Sequence, residues 1–263
     1  MVPTAAQVGD PAKLAEFAAA GVTPGQPFPG NIIPDALTYP SAKAFLGTGA
    51  IPLPNFGTQF TGSRSVPIDV REEIVRVDHN FNDKVSLMAH FINDAVVQET
   101  DTTLWGGMSY PTLGTIFRNP GKSAVLRLTW TISPTLLNEV AYNYNGNRID
   151  LTPRGVYAKP SGYSVQEFFS GNSLDRLPVI GFRKQIGTTY DTGSWPWHNA
   201  ADSQQIRDHV SKMVGNHALK FGGQFMRYRK NQDIFGQTQG NYTFDGSYTG
   251  SDLADFLLGF AKS

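Results

Sequence analysis

Between Leu219 and Tyr228 the chain alternates with a period of two. Leu219, Phe221, Gly223 and Phe225 fall on one side of an extended strand, and Lys220, Gly222, Gln224, Met226 and Tyr228 on the other. The polar turn Gly215-Asn216-His217 precedes this run and "SQQIRDHVSKMV" leads into it, so residues 203–232 predict a β-hairpin. One face is greasy and the other mostly wet, and each needs its own environment.

The pattern recurs twice upstream. "REEIVRVDHNFNDKVSLMAHFIND" splits at Asn82-Asp83-Lys84, with Val75, Val77, His79 and Phe81 sharing a side before the turn and Val85, Leu87, Ala89 and Phe91 after it, which predicts a hairpin over 72–94. "KSAVLRLTWTISPTLLNEVAYNYNGNRID" turns at Ser133-Pro134-Thr135; Leu126, Leu128, Trp130 and Ile132 share one face, and Val140, Tyr142 and Tyr144 share one on the way back, a hairpin over 122–147. "NYTFDGSYTG" offers a seventh strand over 239–245, and "SDLADFLLGF" a short helix over 251–260 capped by Ser251. Residues 1–65 read as an irregular, Pro- and Gly-broken loop with a short helix over 10–20, where Asp10 caps, Pro11 takes the first position and Gly21 follows the end. Residues 95–121 and 148–203 read as further long loops, so the chain divides into 1–65 and a strand-rich 66–263.

Composition agrees with strands and turns. Charged residues are 17%, aromatics 12%, and there are 27 Gly and 17 Pro. Lys plus Arg and Asp plus Glu are 22 each, so no basic field exists to neutralise a phosphate backbone, and nucleic acid is excluded as an expected partner. With no cysteine, disulfides and thiolate metal sites are excluded. No apolar run reaches the roughly 18 residues of a membrane helix, and "MVPTAAQVGDPAKLAEF" does not read as a secretion signal.

Alternation alone fits a soluble β-sandwich, whose strands also hide one face. Three further features favour a membrane: strands longer than the usual five or six residues, very short turns at one end against loops of tens of residues at the other, and aromatics near strand ends. These are the marks of an outer-membrane barrel, in which Trp130, Phe81, Tyr142 and Tyr144 would sit in aromatic girdles. The expected fold is therefore all-β: an antiparallel up-and-down meander forming a sector of a transmembrane β-barrel, with long outside loops. Leu219, Phe221 and Phe225 would face lipid, Lys220, Gln224 and Tyr228 a hydrated lumen, and Arg227, Arg229 and Lys230 would lie beyond the apolar band.

The same residues carry a family likeness. "GNHALKFGGQFMRYRKNQ" followed by "GNYTFDGSYTGSDLADFLLGF" resembles the barrel region of TonB-dependent receptors of the Oar-like kind. "PFPGNIIPDALTYPSAKAFLGTGAIPLPN" resembles a loop of those receptors, and "VRVDHNFNDKVSLMAHF" their recurrent hairpin, so the likeness spans roughly residues 27–260. It implies uptake of a scarce ligand through a barrel of about 22 strands, with a plug and a TonB box. Neither is identifiable in this sequence, and six or seven strands are fewer than the eight of the smallest single-chain barrels. The expectation is a partial barrel whose partners are outer-membrane lipid, an unknown small ligand and, through other parts of a longer polypeptide, the TonB complex. An extracellular carbohydrate-binding or adhesive β-sandwich is the alternative.

Catalytic chemistry finds little support. His79, His90, His198, His209 and His217 show no metal-ligand spacing, and "VDHNFND" lacks the glycine and distal glutamate of a calcium loop. Neither a nucleophile elbow nor a phosphate-binding loop occurs. No enzyme, no cofactor and no metal are expected. Lumen-facing Arg127, Glu139 and Lys220 could line a solute path, and Trp195, Trp197 and His198 form an aromatic loop patch able to stack on a sugar or siderophore, although packing within the loop is the simpler use of those rings.

Overall fold

The computed structural model describes residues 1–106, 110–167 and 169–263. Three helices come first: α1 (Ala5–Val8), α2 (Pro11–Ala19) and α3 (Pro40–Gly47). Then follow β1 (Ile68–Asn82), β2 (Val85–Glu99), β3 (Leu113–Arg118), β4 (Gly121–Ser133) and β5 (Leu136–Gly155). After them come β6 (Val179–Phe182), β7 (Thr189–Tyr190), β8 (Trp197–Val214), β9 (His217–Ile234), β10 (Asn241–Phe244) and α4 (Asp252–Leu258).

One large antiparallel sheet dominates, and its neighbours follow the chain: β1 pairs β2, β2 pairs β3 and β4, both of these pair β5, β5 pairs β8, and β8 pairs β9. β3 and β4 are one strand broken at Asn119-Pro120. Pro120 has no N–H to give the ladder, yet the backbone around it stays tied, Asn119 N donating to Val96 O and Arg148 N to Pro120 O, both at 2.9 Å. The result is an up-and-down meander of long strands, 18 residues each in β8 and β9 and 20 in β5. All three expected hairpins are present and longer than their alternating cores, because the strands continue past the apolar stretch.

Three tight turns close one end of the sheet. At Asn82–Val85 the Asn82 Oδ1 accepts from Lys84 N at 2.9 Å and Val85 N at 3.0 Å. At Val214–His217 the first central residue, Gly215, has φ +57°, the left-handed conformation that a hairpin of this twist demands and that glycine adopts without strain.

The other end carries a folded lobe. Here β10 lies parallel to β6, and β6 antiparallel to β7, in a separate small sheet. The segment expected as a seventh strand of the meander therefore leaves it. Its last residue, Phe244, stacks on Phe182 (6.2 Å) and meets Phe256 of α4 edge-on (5.2 Å), and that aromatic core outweighs continued pairing with β9. Residues 1–65 differ from the irregular loop expected of them in the same way. Phe17 and Phe45 are fully buried, Val2, Phe17, Phe28 and Leu37 pack with Leu258 of α4, and Ala42 and Phe45 join Leu113, Phe182, Tyr190 and Phe256 in a second core. Apolar residues scattered among prolines and glycines lack periodicity, so the sequence hides a core that the fold assembles. α2 and α4 begin as expected: Asp10 accepts from Ala12 N at 2.9 Å, and Ser251 Oγ from Ala254 N at 3.4 Å.

Candidate functional site

Pairing register assigns every side chain of the large sheet to a face, since residues directly opposite share one. Three rows define the first face: Val75, Phe91, Ala124, Tyr144 and Gln204; Val77, Ala89, Leu126, Tyr142, Ile206 and Phe225; and Val85, Trp130, Asn138, Val210 and Phe221. Large apolar groups dominate it, and they are open, with Val77 56%, Leu126 48% and Phe225 69% exposed. Both buried cores lie in the lobe, and no second sheet packs on this face among the described residues, so the sandwich alternative is not favoured. Between the first and last of these rows Asp208 is the charged exception; Asn138 Nδ2 donates to its carboxylate and, at 3.2 Å, to His209 O.

The opposite face is polar. One row runs Asp78, Met88, Arg127, Ala141, Arg207 and Gln224, and the next Asn80, Ser86, Thr129, Glu139, His209 and Gly222. Arg76 holds Asp78 through two contacts of 2.7 and 3.0 Å, and Arg127 stands 4.0 Å from Glu139. Asn143 Nδ2 donates to Gln205 Oε1 at 3.3 Å, and Gln205 Nε2 to Gln224 Oε1 at 2.8 Å, so an amide relay crosses three strands. Lys220 lies opposite Ser211 on the same face. Arg127, Glu139 and Lys220 thus share the surface expected of them.

Above the sheet, at the lobe end, the aromatic patch resolves into separate parts. Trp195 is 4% exposed and donates from Nε1 to Thr115 Oγ1 at 2.9 Å. Trp197 stacks on it with centroids 6.2 Å apart. His198, the next residue along β8, points to the other face, where its Nδ1 is 2.7 Å from Asp150 Oδ1. The three expected ligand residues therefore do not converge. Trp105, which the sequence reading passed over, lies edge-on to Trp195 and Trp197 at 6.3 and 5.7 Å and is 66% exposed.

Long antiparallel strands, turns confined to one end, one apolar face and one polar face are the physical signature of strands that cross a bilayer. The family model of the outer membrane beta barrel domain matches residues 1–263. The chain belongs to that family. None of the curated proteins compared with it matches. No helix among the described residues is long and apolar enough to cross a membrane, and in an outer-membrane barrel the strands do the crossing.

Membership gives the two faces of this barrel sheet their solvents. The apolar face meets lipid and the polar face lines the lumen; the tight turns are periplasmic and the lobe is outside. Trp130 and Phe81 fall near the turns, and Tyr144 at the opposite margin of the apolar face, the positions of two interfacial girdles. Tyr142 lies one row inside that margin, within the band.

The lobe owes its shape to buried polar residues that the sequence reading missed. Asp252 and Asp255 of α4 are fully buried. Asp252 Oδ2 accepts from Lys184 N at 2.8 Å and Ile186 N at 3.2 Å, and Asp255 Oδ1 from Thr249 N at 2.9 Å and Thr249 Oγ1 at 2.7 Å. In "SDLADFLLGF" the two aspartates, three positions apart, thus organise two different loops. Arg176, also without exposed surface, donates to Ser173 O, Gly193 O, Phe235 O and Thr238 Oγ1 at 3.0 to 3.2 Å. Burial lowers its pKa to about 10, with Asp191 acting in the other direction, so it stays charged at neutral pH.

Proposed function

We propose that this chain forms a sector of a larger outer-membrane barrel that takes up a small ligand in the manner of the Oar-like TonB-dependent receptors it resembles. The observation that carries the reading is the open sheet: β1 and β9 are its two outer strands and do not pair with each other. An unpaired edge is intolerable in hydrocarbon, so further strands must complete the wall. A wide barrel with a charged, hydrogen-bonded lumen suits a hydrated path for a polar solute. Trp105, resting on Trp195 and Trp197, offers that solute an exposed ring at the outside mouth. On this reading the polypeptide transports rather than catalyses, takes its energy through contacts with the TonB complex made elsewhere in the protein, and requires neither cofactor nor metal.

The test is accumulation in cells carrying the whole polypeptide. A radiolabelled ferric chelate and a labelled oligosaccharide serve as probes, each measured before and after a protonophore. Energised uptake of either that collapses with the protonophore, and is absent from cells lacking the gene, is the expected result. Passive equilibration unaffected by the protonophore would make the protein an open pore instead.

A further inference from the structure

The lipid-facing side of the sheet ends, toward the outside, in a cluster of cations. Register sets Glu73, Asn93, Lys122, Gly146, Asp202 and Arg229 in one row, directly above the row of Tyr144, Gln204 and Arg227, and Arg148 and Asp150 follow Gly146 on the same side of β5. Four cations thus gather around Asp202, while Glu73 at the far end of the row is held by Arg71 and Asp150 by His198. Asp202 accepts from Tyr144 Oη and Arg148 Nη2, both at 2.9 Å, and from Arg229 Nη2 at 3.4 Å. Among the described residues Lys122 and Arg227 form no ion pair. Asp202 alone would need one cation, and the two neighbouring acids of this face already have partners of their own.

The cluster is also concave. A recess of about 260 Å³ is lined by Tyr144, Arg148, Asp202, Gln204, Arg227 and Arg229, and a second of about 270 Å³ by Pro120, Lys122, Tyr144, Gly146 and Arg148. Gly146 keeps this surface open. A Cβ there would stand 2.5 Å from Tyr144 Oη and 3.2 Å from Asp202 Oδ1, displacing the tyrosine from the carboxylate it orients.

Height decides the occupant. Phe225 lies two residues below Arg227 on the same face, in the row of Ile206, Tyr142 and Leu126. The cations therefore begin where acyl chains give way to headgroups, and they point into the membrane interface, away from the lumen. We propose that this cluster binds the phosphate of a lipid headgroup in the outer leaflet. Guanidinium groups give phosphate paired, planar hydrogen bonds, lysine adds a point charge, and Tyr144 packs its ring where the chains end. The proposal needs the barrel but is independent of whether the lumen transports.

The experiment uses the whole polypeptide, reconstituted in phosphatidylcholine vesicles, with a fluorescent phosphorylated acyl-glucosamine lipid as probe. Wild type should bind the probe and ignore its dephosphorylated form. The variant Arg148→Gln/Arg227→Gln/Arg229→Gln should bind about a hundredfold more weakly, at roughly fivefold per charge. Lys122→Gln alone, which leaves the Asp202 network whole, should lose about fivefold while keeping its strand-rich circular dichroism. Arg127→Gln/Arg207→Gln, on the lumen face, should bind as wild type does. Equal binding of the dephosphorylated lipid, an equal loss in the lumen variant, or full competition by millimolar inorganic phosphate would each overturn the proposal. Failure of wild type to enter phosphatidylcholine vesicles at all would overturn the lipid-facing assignment and the proposal with it.

Discussion

Arg176 shows how one side chain sets a loop. Its guanidinium collects three carbonyls and one hydroxyl from three stretches of chain, at Ser173, at Gly193 and at Phe235 with Thr238, with no exposed surface of its own. Removing it strands those acceptors in a dry site, and hydrogen bonds to a charged group are each worth about 1.5–3 kcal/mol. Arg176→Ala should therefore cost the lobe about 3 kcal/mol, read as lost amide-exchange protection around Tyr190 and Phe244. Arg176→Lys should not restore it, because an ammonium cannot present the planar fork that serves four partners. Unchanged protection in either variant would show that the loops hold without this tie. Nothing in "SLDRLP" announces the role: a buried arginine and a solvated one look alike until the distant carbonyls are in place, and the same holds for Asp252 and Asp255.

At the scale of the hairpin the sequence speaks more clearly, because strand alternation is local and repeats. The three turns, the two faces, and the apolar and polar sides of β9 are all legible from a period of two. What alternation does not carry is the fate of individual glycines. Gly222 and Gly223 look equivalent in "KFGGQF", but a Cβ on Gly222 would meet Asp208 O at 2.2 Å and His209 Cδ2 at 2.4 Å, while one on Gly223 would meet nothing within 4 Å. Gly222→Ala should destabilise the β8–β9 pairing by about 1–3 kcal/mol, and Gly223→Ala should be neutral or gain about 0.5 kcal/mol; urea unfolding in lipid vesicles measures both. The same assay separates the faces. Leu128→Lys, in the middle of the lipid-facing rows, should cost about 2–4 kcal/mol, whereas Thr129→Lys, one residue away on the lumen side, should stay within about 0.5 kcal/mol. Equal costs at the two positions would mean that the faces do not meet different solvents.

Across the whole molecule the division of labour is between a wall that is local in sequence and a lobe that is not. The wall grows strand by strand along the chain. The lobe instead gathers Val2, Phe17 and Leu37 from near the beginning with Leu258 from near the end, and Tyr39 N donates to Leu257 O at 2.7 Å. Contacts of such separation leave no periodic trace, which is why the wall was readable and the lobe was not. Their arrangement dictates a topology that labelling can check, and the lack of cysteine makes each introduced thiol the only one in this chain. Glu16→Cys, exposed on α2, should react with a membrane-impermeant maleimide on intact cells. Asp83→Cys and Asn216→Cys, exposed in two of the tight turns, should react only after the outer membrane is permeabilised. The reverse order of reactivity would invert the barrel and move the basic cluster to the periplasmic leaflet. Equal labelling of all three on intact cells would remove the sheet from the bilayer. Labelling of Glu16→Cys alone requires one strand length of membrane between lobe and turns, and with it the two solvents that the alternation from Leu219 to Tyr228 anticipates.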